Sequence, residues 1–257
     1  MYLGGVTMFD FSKTTITLEE CHEFMMLNNG DLYLEESDLN ELPKGLKVIR
    51  DLIIKKSNMD LPEGLIVGRD LIIQNSSISE LPEGLIVGRD LLLGTTLITE
   101  LPDKYNIGHS IRFSNCPLRY LPENFIVYGD LYFTNLVRTV ELPDKLTVLG
   151  DLRINFSNIL SLPKNLFVAG ELDIRYNDGI TELPEDMIIG KTIDISHTPV
   201  DSLPEGLRVY RNLFINDSKI TKLPEKLTVL GDFHCSDVDL VIHDGVDIKG
   251  FVRKGKY

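Results

Sequence analysis

Leu81-Pro82-Glu83-Gly84-Leu85-Ile86-Val87-Gly88-Arg89-Asp90-Leu91-Leu92-Leu93-Gly94-Thr95-Thr96-Leu97-Ile98-Thr99-Glu100 runs straight into Leu101-Pro102, and the same unit returns along most of the chain. Leu-Pro pairs begin at Leu42, Leu61, Leu81, Leu101, Leu121, Leu142, Leu162, Leu183, Leu203 and Leu223. The spacing is 19 to 21 residues, and ten of the twelve prolines lie in these pairs. A fixed period of this length marks a solenoid, in which each coil buries its apolar side against the next coil. The repeat therefore favours one elongated unit over the one or two globular domains that length alone suggests.

With the leucine of Leu-Pro as position 1, position 5 is always large and apolar, from Leu46 through Tyr105, Phe125 and Met187 to Leu227. Position 7 is always Val or Ile. Positions 11 and 13 are apolar in every unit, the last carrying Phe233 and Cys235. Two alternations of period two, 5-x-7 and 11-x-13, predict two short strands per coil. Between them, Gly-Arg-Asp or x-Gly-Asp predicts a corner in which Gly supplies a conformation closed to other residues and Asp bonds its own turn. Proline at position 2 has no amide hydrogen for a ladder, so it belongs between strands.

The stretch Leu71-x-Ile73-x-x-Ser76-x-Ile78-x-x-Leu81-Pro82 resembles the leucine-rich repeat, with Ser or Thr where that family places Asn. Unit length and Leu-Pro pairs are similar to short leucine-rich repeats of bacterial effectors, and closer still to repeat proteins of bacteriophages and gut bacteria. The resemblance implies a mostly β, right-handed leucine-rich-repeat-like solenoid, with hydroxyls at position 16 bonding the backbone of a neighbouring coil. The coils holding Leu136 and Asn177 at that position are one residue longer, which predicts a bulge in each.

The ends need covers. Thr17-x-x-Glu20 is a capping-box signature, and Leu18, Cys21, Phe24 and Met25 fall at helical spacing, which predicts a short capping helix. The organisation read from these signals is an N-terminal cap at 1–29, the solenoid at 30–241 and a C-terminal cap at 242–257. The last segment carries a basic tip of Lys249, Arg253, Lys254 and Lys256, expected to contact the acidic repeats.

Net charge is −13, which repels phosphates and anionic lipid, so neither nucleic acid nor a membrane surface is an expected partner. No apolar run approaches the roughly 18 residues of a membrane span, and the first residues lack a signal-peptide pattern. Cys21, Cys116 and Cys235 cannot make a disulfide framework and read as buried thiols of a reducing compartment. Cytoplasmic localisation follows, in a host cell if the resemblance to phage proteins holds. Histidines are scattered, and His234 and Cys235 face opposite ways, so no metal or cofactor is expected. No nucleophile elbow or phosphate loop occurs, and an enzyme is not expected. Acidic residues recur at positions 3 and 10, where turn chemistry explains them better than catalysis, which needs carboxylates in unequal environments.

Outward positions of the 11-to-14 strand vary between coils while the inward ones do not. Tyr132, Arg153, Asp173, Asp194 and Phe214 at position 12, Arg175 at 14, and Phe156 and Tyr176 at 15 supply the aromatic and arginine mix of interface hot spots. They are the expected protein-binding residues. Two apolar rows, Ile53, Ile72 and Leu92 at position 12 and Ile66, Ile86, Ile126, Phe167 and Ile188 at position 6, should be exposed and suited to self-association. Packing of Val6, Met8, Phe9 and Phe11 over one row is the rival account. The function expected is a non-catalytic scaffold engaging a partner protein through its open strand face. Alternatives are a self-associating virion or assembly component and an acidic polyanion mimic.

Overall fold

The computed structural model describes residues 2–3, 6–7, 13–157, 159–237 and 239–255. The chain divides into two compact units, Met1–Leu118 and Arg119–Tyr257. Both are stacks of short parallel strands, mostly β, as the double alternation predicts.

In the first unit, the strands built on positions 11 to 14 are Leu32–Glu35, Leu52–Lys55, Leu71–Gln74, Leu91–Gly94 and Ile111–Ser114. They pair without slippage, Leu32 to Leu52 to Leu71 to Leu91 to Ile111. A second sheet is built on positions 5 to 7, from Lys47–Val48 through Ile66–Val67 and Leu85–Val87 to Tyr105–Ile107. In the second unit the wide sheet runs from Leu131–Thr134 to Val252–Lys254. Its companions hold Ile126–Val127 to Ile188–Ile189 and Leu207–Val209 to Val246–Ile248.

Register follows the core. Shifting one strand by a residue would turn its buried side chains to water, so the inward set fixes the pairing. Leu71 and Ile73, Leu91 and Leu93, Leu152 and Ile154 are all at most 1% exposed, as are Leu65, Val67, Leu85 and Val87 across the coil. Position 18 closes the core with Leu39, Met59, Ile78 and Ile98 in one unit and Ile159, Val200 and Leu240 in the other. Each fully buried aliphatic side chain contributes about 1.5–3 kcal/mol.

Carboxylates at position 10 form a ladder of their own. The Asp70 amide donates to Asp51 (3.1 Å), Asp90 to Asp70 (3.2 Å) and Ser110 to Asp90 (3.0 Å). The second unit repeats this, Asp151 donating to Asp130 (2.8 Å) and Glu171 to Asp151 (2.9 Å). Position 3 does likewise, both Asp103 and Lys104 amides donating to Glu83. These acids are backbone acceptors for the adjoining coil, which is why they recur.

Corner glycines differ from the sequence reading. Gly88 is not left-handed; a Cβ there would collide with the carbonyl oxygen of Gly68, so close approach of two backbones demands it. Left-handed backbone sits instead at position 4, as at Gly84 (φ +72°), and at position 15 in the coils from Lys56 to Asp217, where Asn75, Asn115 and Asn135 show φ of 50°. Hydroxyls at position 16 behave as expected near the start: the Ser37 amide donates to Ser57 Oγ (2.9 Å), and Ser76 Oγ donates to the Ser57 carbonyl. In the second unit they bond their own coil, as Thr198 does to Ile195 (2.7 Å). No bulge interrupts the ladders of the longer coils: Leu131 to Leu152 and Leu172 to Ile193 stay in register, and the extra residue enters the connecting loop.

Leu18–Leu27 is helical, with both arms of the capping box made between Thr17 and Glu20. Cys21, Phe24 and Met25 are buried beneath it, while Leu18 is exposed. At the other end, the segment read as a cap, 242–257, carries two more rungs: Val246 pairs with Leu227 and Val252 with Phe233. Arg253 reaches Asp232 (3.8 Å) and Lys249 pairs with Asp247 (2.9 Å), while Lys256 lies outside the described residues.

Candidate functional site

The expected binding residues all lie in the second unit, and the parallel register brings them into columns. Tyr132 pairs with Arg153, Arg153 with Asp173, Asp173 with Asp194 and Asp194 with Phe214. Their surroundings differ sharply.

Asp173 and Asp194 are buried, at 1% and 8% exposure, which corrects their assignment to an open surface. Asp173 accepts two bonds from the Arg175 guanidinium (2.9 and 2.7 Å), one from the Arg175 amide (3.2 Å) and one from Asn155 (3.1 Å). Burial works to raise its carboxyl, but the Arg175 bonds and charge outweigh that and hold it below the usual carboxylate value. Asp194 accepts the Ser196 amide (3.0 Å) and lies 3.4 Å from Arg175; burial dominates and raises its carboxyl. The two acids thus have the unequal environments that acid–base work requires. Both are nonetheless folded back on the backbone two residues ahead. That local bond competes with the ladder, and these strands end after two residues, Leu172–Asp173 and Ile193–Asp194.

Tyr132 and Arg153 are half-buried. The Tyr132 hydroxyl donates to Asp130 (2.7 Å), and burial with that bond pushes the phenol up to about 12. Arg153 lies over the Tyr132 ring (5.7 Å) and donates to Asp151 (3.3 Å). Both arginines of the predicted site are therefore engaged within the protein.

The rings at position 15 are different. Phe156 and Tyr176 are 60% and 45% exposed. They stack at 5.1 Å with planes 4° apart, and Tyr176 stacks on His197 at 4.5 Å and 7°. His197 was not singled out by its residue type; its signal was its place, one coil beyond Tyr176. All three have positive φ, at 51°, 56° and 56°. Left-handed backbone costs a bulky residue about 1–2 kcal/mol, and each stacked pair offsets about 0.5–1.5 kcal/mol of it. Asn, used at the same position in other coils, tolerates that backbone with its short polar side chain. Tyr176 lies in the middle of the stack, with a ring against each of its faces. Phe214 stacks separately on His234 (4.4 Å, 26°), where burial lowers the imidazole.

The rows read as self-association surfaces are uneven. Ile53, Ile72 and Leu92 are half-buried by their neighbours rather than open. At position 6, Ile86, Ile126 and Ile188 are exposed (40%, 49% and 57%), while Ile66 and Phe167 are half-buried. Met8, Phe9 and Phe11 lie outside the described residues, as does the side chain of Val6, so their packing over either row has no structural account. Among the described residues no group of three His, Cys, Asp or Glu is placed to hold a metal ion, and no helix is long and apolar enough to cross a membrane.

No family model, curated protein or solved structure matches this chain.

Proposed function

We propose that this protein is a non-catalytic repeat scaffold that binds a partner protein through the strand face of its second unit, with Phe156, Tyr176 and His197 at the centre. The observation that carries this reading is the exposed ring ladder held on left-handed backbone. The repeat imposes left-handed backbone at this position in other coils too, as at Asn75 and Thr95, so what the fold does not require is a bulky ring there, and costly residue choices of that kind gather at functional positions. Aromatic side chains also dominate hot spots, because they bring large area with few rotatable bonds. Arg153 and Arg175, fixed by Asp151 and Asp173, flank the ladder as oriented positive groups. Kinship with leucine-rich repeats, a phage or bacterial source, a host protein as partner and a cytoplasmic setting belong to this proposal. They rest on the resemblance of Leu-x-Ile-x-x-Ser/Thr-x-Ile-x-x-Leu-Pro.

Polyanion mimicry is the weaker account, because its acidic columns are occupied as backbone acceptors and by arginines such as Arg89 on Asp70 (2.7 Å). Self-association through Ile126 and Ile188 keeps the support of their exposure.

The test replaces Phe156, Tyr176 and His197 together by Asn, the residue that other coils carry at this place. Affinity capture from host lysate is then compared between the two forms, with photo-crosslinks mapped by mass spectrometry. A protein captured by the wild type, cross-linked beside position 176 and lost from the variant supports the reading. A capture pattern unchanged by the variant sinks it.

A further inference from the structure

The narrow sheet at the start of the second unit turns an uncharged face to solvent. Positions 6 and 8 point outward there, and in the coils beginning at Leu121, Leu142, Leu162 and Leu183 neither carries a charge, although 25% of the chain is charged. Ile126, Tyr128, Leu149 and Ile188 are 46–57% exposed around the half-buried Phe167. Strand pairing sets Ile126, Thr147, Phe167 and Ile188 in one column. Contiguous exposed apolar surface marks a contact.

Two cations on its rim identify the occupant. In the first unit each position-9 arginine pairs with the position-10 aspartate of the coil before: Arg50 with Asp31 (3.7 Å), Arg69 with Asp51 (3.2 Å) and Arg89 with Asp70 (2.7 Å). In the second unit position 9 is glycine except at Lys191 and Arg211, whose backbones stack through the Arg211 amide and the Lys191 carbonyl (3.2 Å). Position 10 of those two coils holds Thr192 and Asn212, and neither cation has an ion pair among the described residues. Glu171, the acid of the coil before Lys191, stands by Arg153 instead.

A two-fold axis through Phe167 sends position 9 onto position 3 and exchanges the coils on its two sides. Lys191 then faces Asp144 of a second copy, and Arg211 faces Glu123, all four being exposed. At the centre Phe167 meets its own counterpart, and Ile188 meets Thr147. Arg208 stands toward the end of this face and lies over its own Tyr210 ring (5.4 Å), so it brings a guanidinium–aromatic stack against Ile126. A two-fold contact must be self-complementary, and this face is so in both respects. Its uncharged centre lets two chains of net charge −13 approach, and its rim cations find acids. Five coils about 4.8 Å apart and seven positions of about 3.3 Å cover roughly 24 by 23 Å, or about 550 Å² per copy. The total of about 1,100 Å² lies in the range of weak but specific interfaces.

We propose that this protein pairs with a second copy of itself through positions 3 to 9 of its second unit, about a two-fold axis at Phe167. The contact uses a different sheet from the ring ladder and does not rest on that reading.

The test is sedimentation equilibrium of the whole chain at about 0.15 M salt, where a Debye length of about 8 Å screens the net repulsion. The wild type should show a reversible monomer–dimer equilibrium. Arg211→Glu and Glu123→Arg each set like charges face to face and should weaken the dimer at least about tenfold. Neither side chain has a polar partner among the described residues, so the fold does not depend on them. The heterodimer formed on mixing the two variants should recover the wild-type constant, since the reversed charges then face each other. Phe167→Arg, on the axis, should abolish pairing. Three results overturn the inference: a monomer at every concentration, a dimer that either charge reversal leaves unchanged, or a loss that mixing does not recover. Oligomers growing past the dimer also overturn it, because a two-fold contact closes. The Asn variant of the ring ladder should dimerise as the wild type does. A monomeric wild type whose captured partner is still lost in the ladder variant would refute this inference alone.

Discussion

Asp151 shows what a single side chain does in this repeat. Its carboxylate accepts the Glu171 amide (2.9 Å) and an Arg153 bond (3.3 Å), so it ties one coil to the next and steadies the arginine. A hydrogen bond to a charged acceptor contributes about 1.5–3 kcal/mol, less where water competes, and this side chain is 23% exposed. Asp151→Ala should therefore lower stability by about 1–2 kcal/mol in urea unfolding followed by circular dichroism. Asp151→Asn should stay near wild type, because the amide oxygen can accept the same bond: Asn212 already does so from the Asp232 amide (2.9 Å). Equal losses for the two variants would mean that charge, not the bond to the next coil, is what the position needs. The recurrence of Asp was legible in the sequence, but its cause was not. Its partner is the amide of an adjoining coil, 20 residues away, and only stacking brings the two together.

At the scale of elements, the helix Leu18–Leu27 was fully legible, since Thr-x-x-Glu followed by apolar residues at helical spacing is a local code. Strand length was not. Asp173 and Asp194 look like outward strand residues by alternation, and only the fold shows them turning back to amides two residues on. Likewise the ring ladder depends on a left-handed position that the sequence hints at only through the Asn of neighbouring coils. The capping box yields a prediction with a definite sign. Lys13 (2.6 Å), then the Thr17 amide (2.8 Å), hold the Glu20 carboxyl well down, to about 2. A group whose folded value lies below its unfolded one contributes fully above the ordinary glutamate value, and the contribution disappears as pH falls toward about 2. The Thr17 and Glu20 amide shifts should report an intact box at neutral pH and titrate with a midpoint near 2. A midpoint at the ordinary glutamate value would show that the box does not hold the carboxylate. Thr17→Ala, which removes the other arm, should raise hydrogen exchange of the helix amides about fivefold, the equivalent of about 1 kcal/mol.

Across the whole molecule, period and inward pattern determine most of what is seen, because each coil needs only its neighbours to bury its core. What the period could not reveal is where the rule is relaxed. The last rungs keep the ladders but not the burial: Phe251 is 72% exposed and Val252 43%, where Phe233 in the coil before is fully buried. Stability carried by nearest neighbours makes local damage stay local. The three thiols can read this out. Burial pushes Cys21 up to about 12 and Cys116 up to about 11, and raises Cys235 as well, so little thiolate is present to react. Native protein should leave all three unlabelled by an aromatic disulfide reagent over minutes at neutral pH. Ile215 occupies the same inward position as Cys235 one coil earlier and is 3% exposed. Ile215→Ala should cost about 2–5 kcal/mol locally and speed Cys235 labelling by about 30-fold or more. Cys21, in the other unit, should change by no more than about a few-fold if opening spreads only through adjoining coils. Mass spectrometry of the labelled cysteines separates the two rates. Equal acceleration at Cys21 and Cys235 would mean that the chain opens as one body, and that nearest-neighbour stacking is the wrong description of how it is held together.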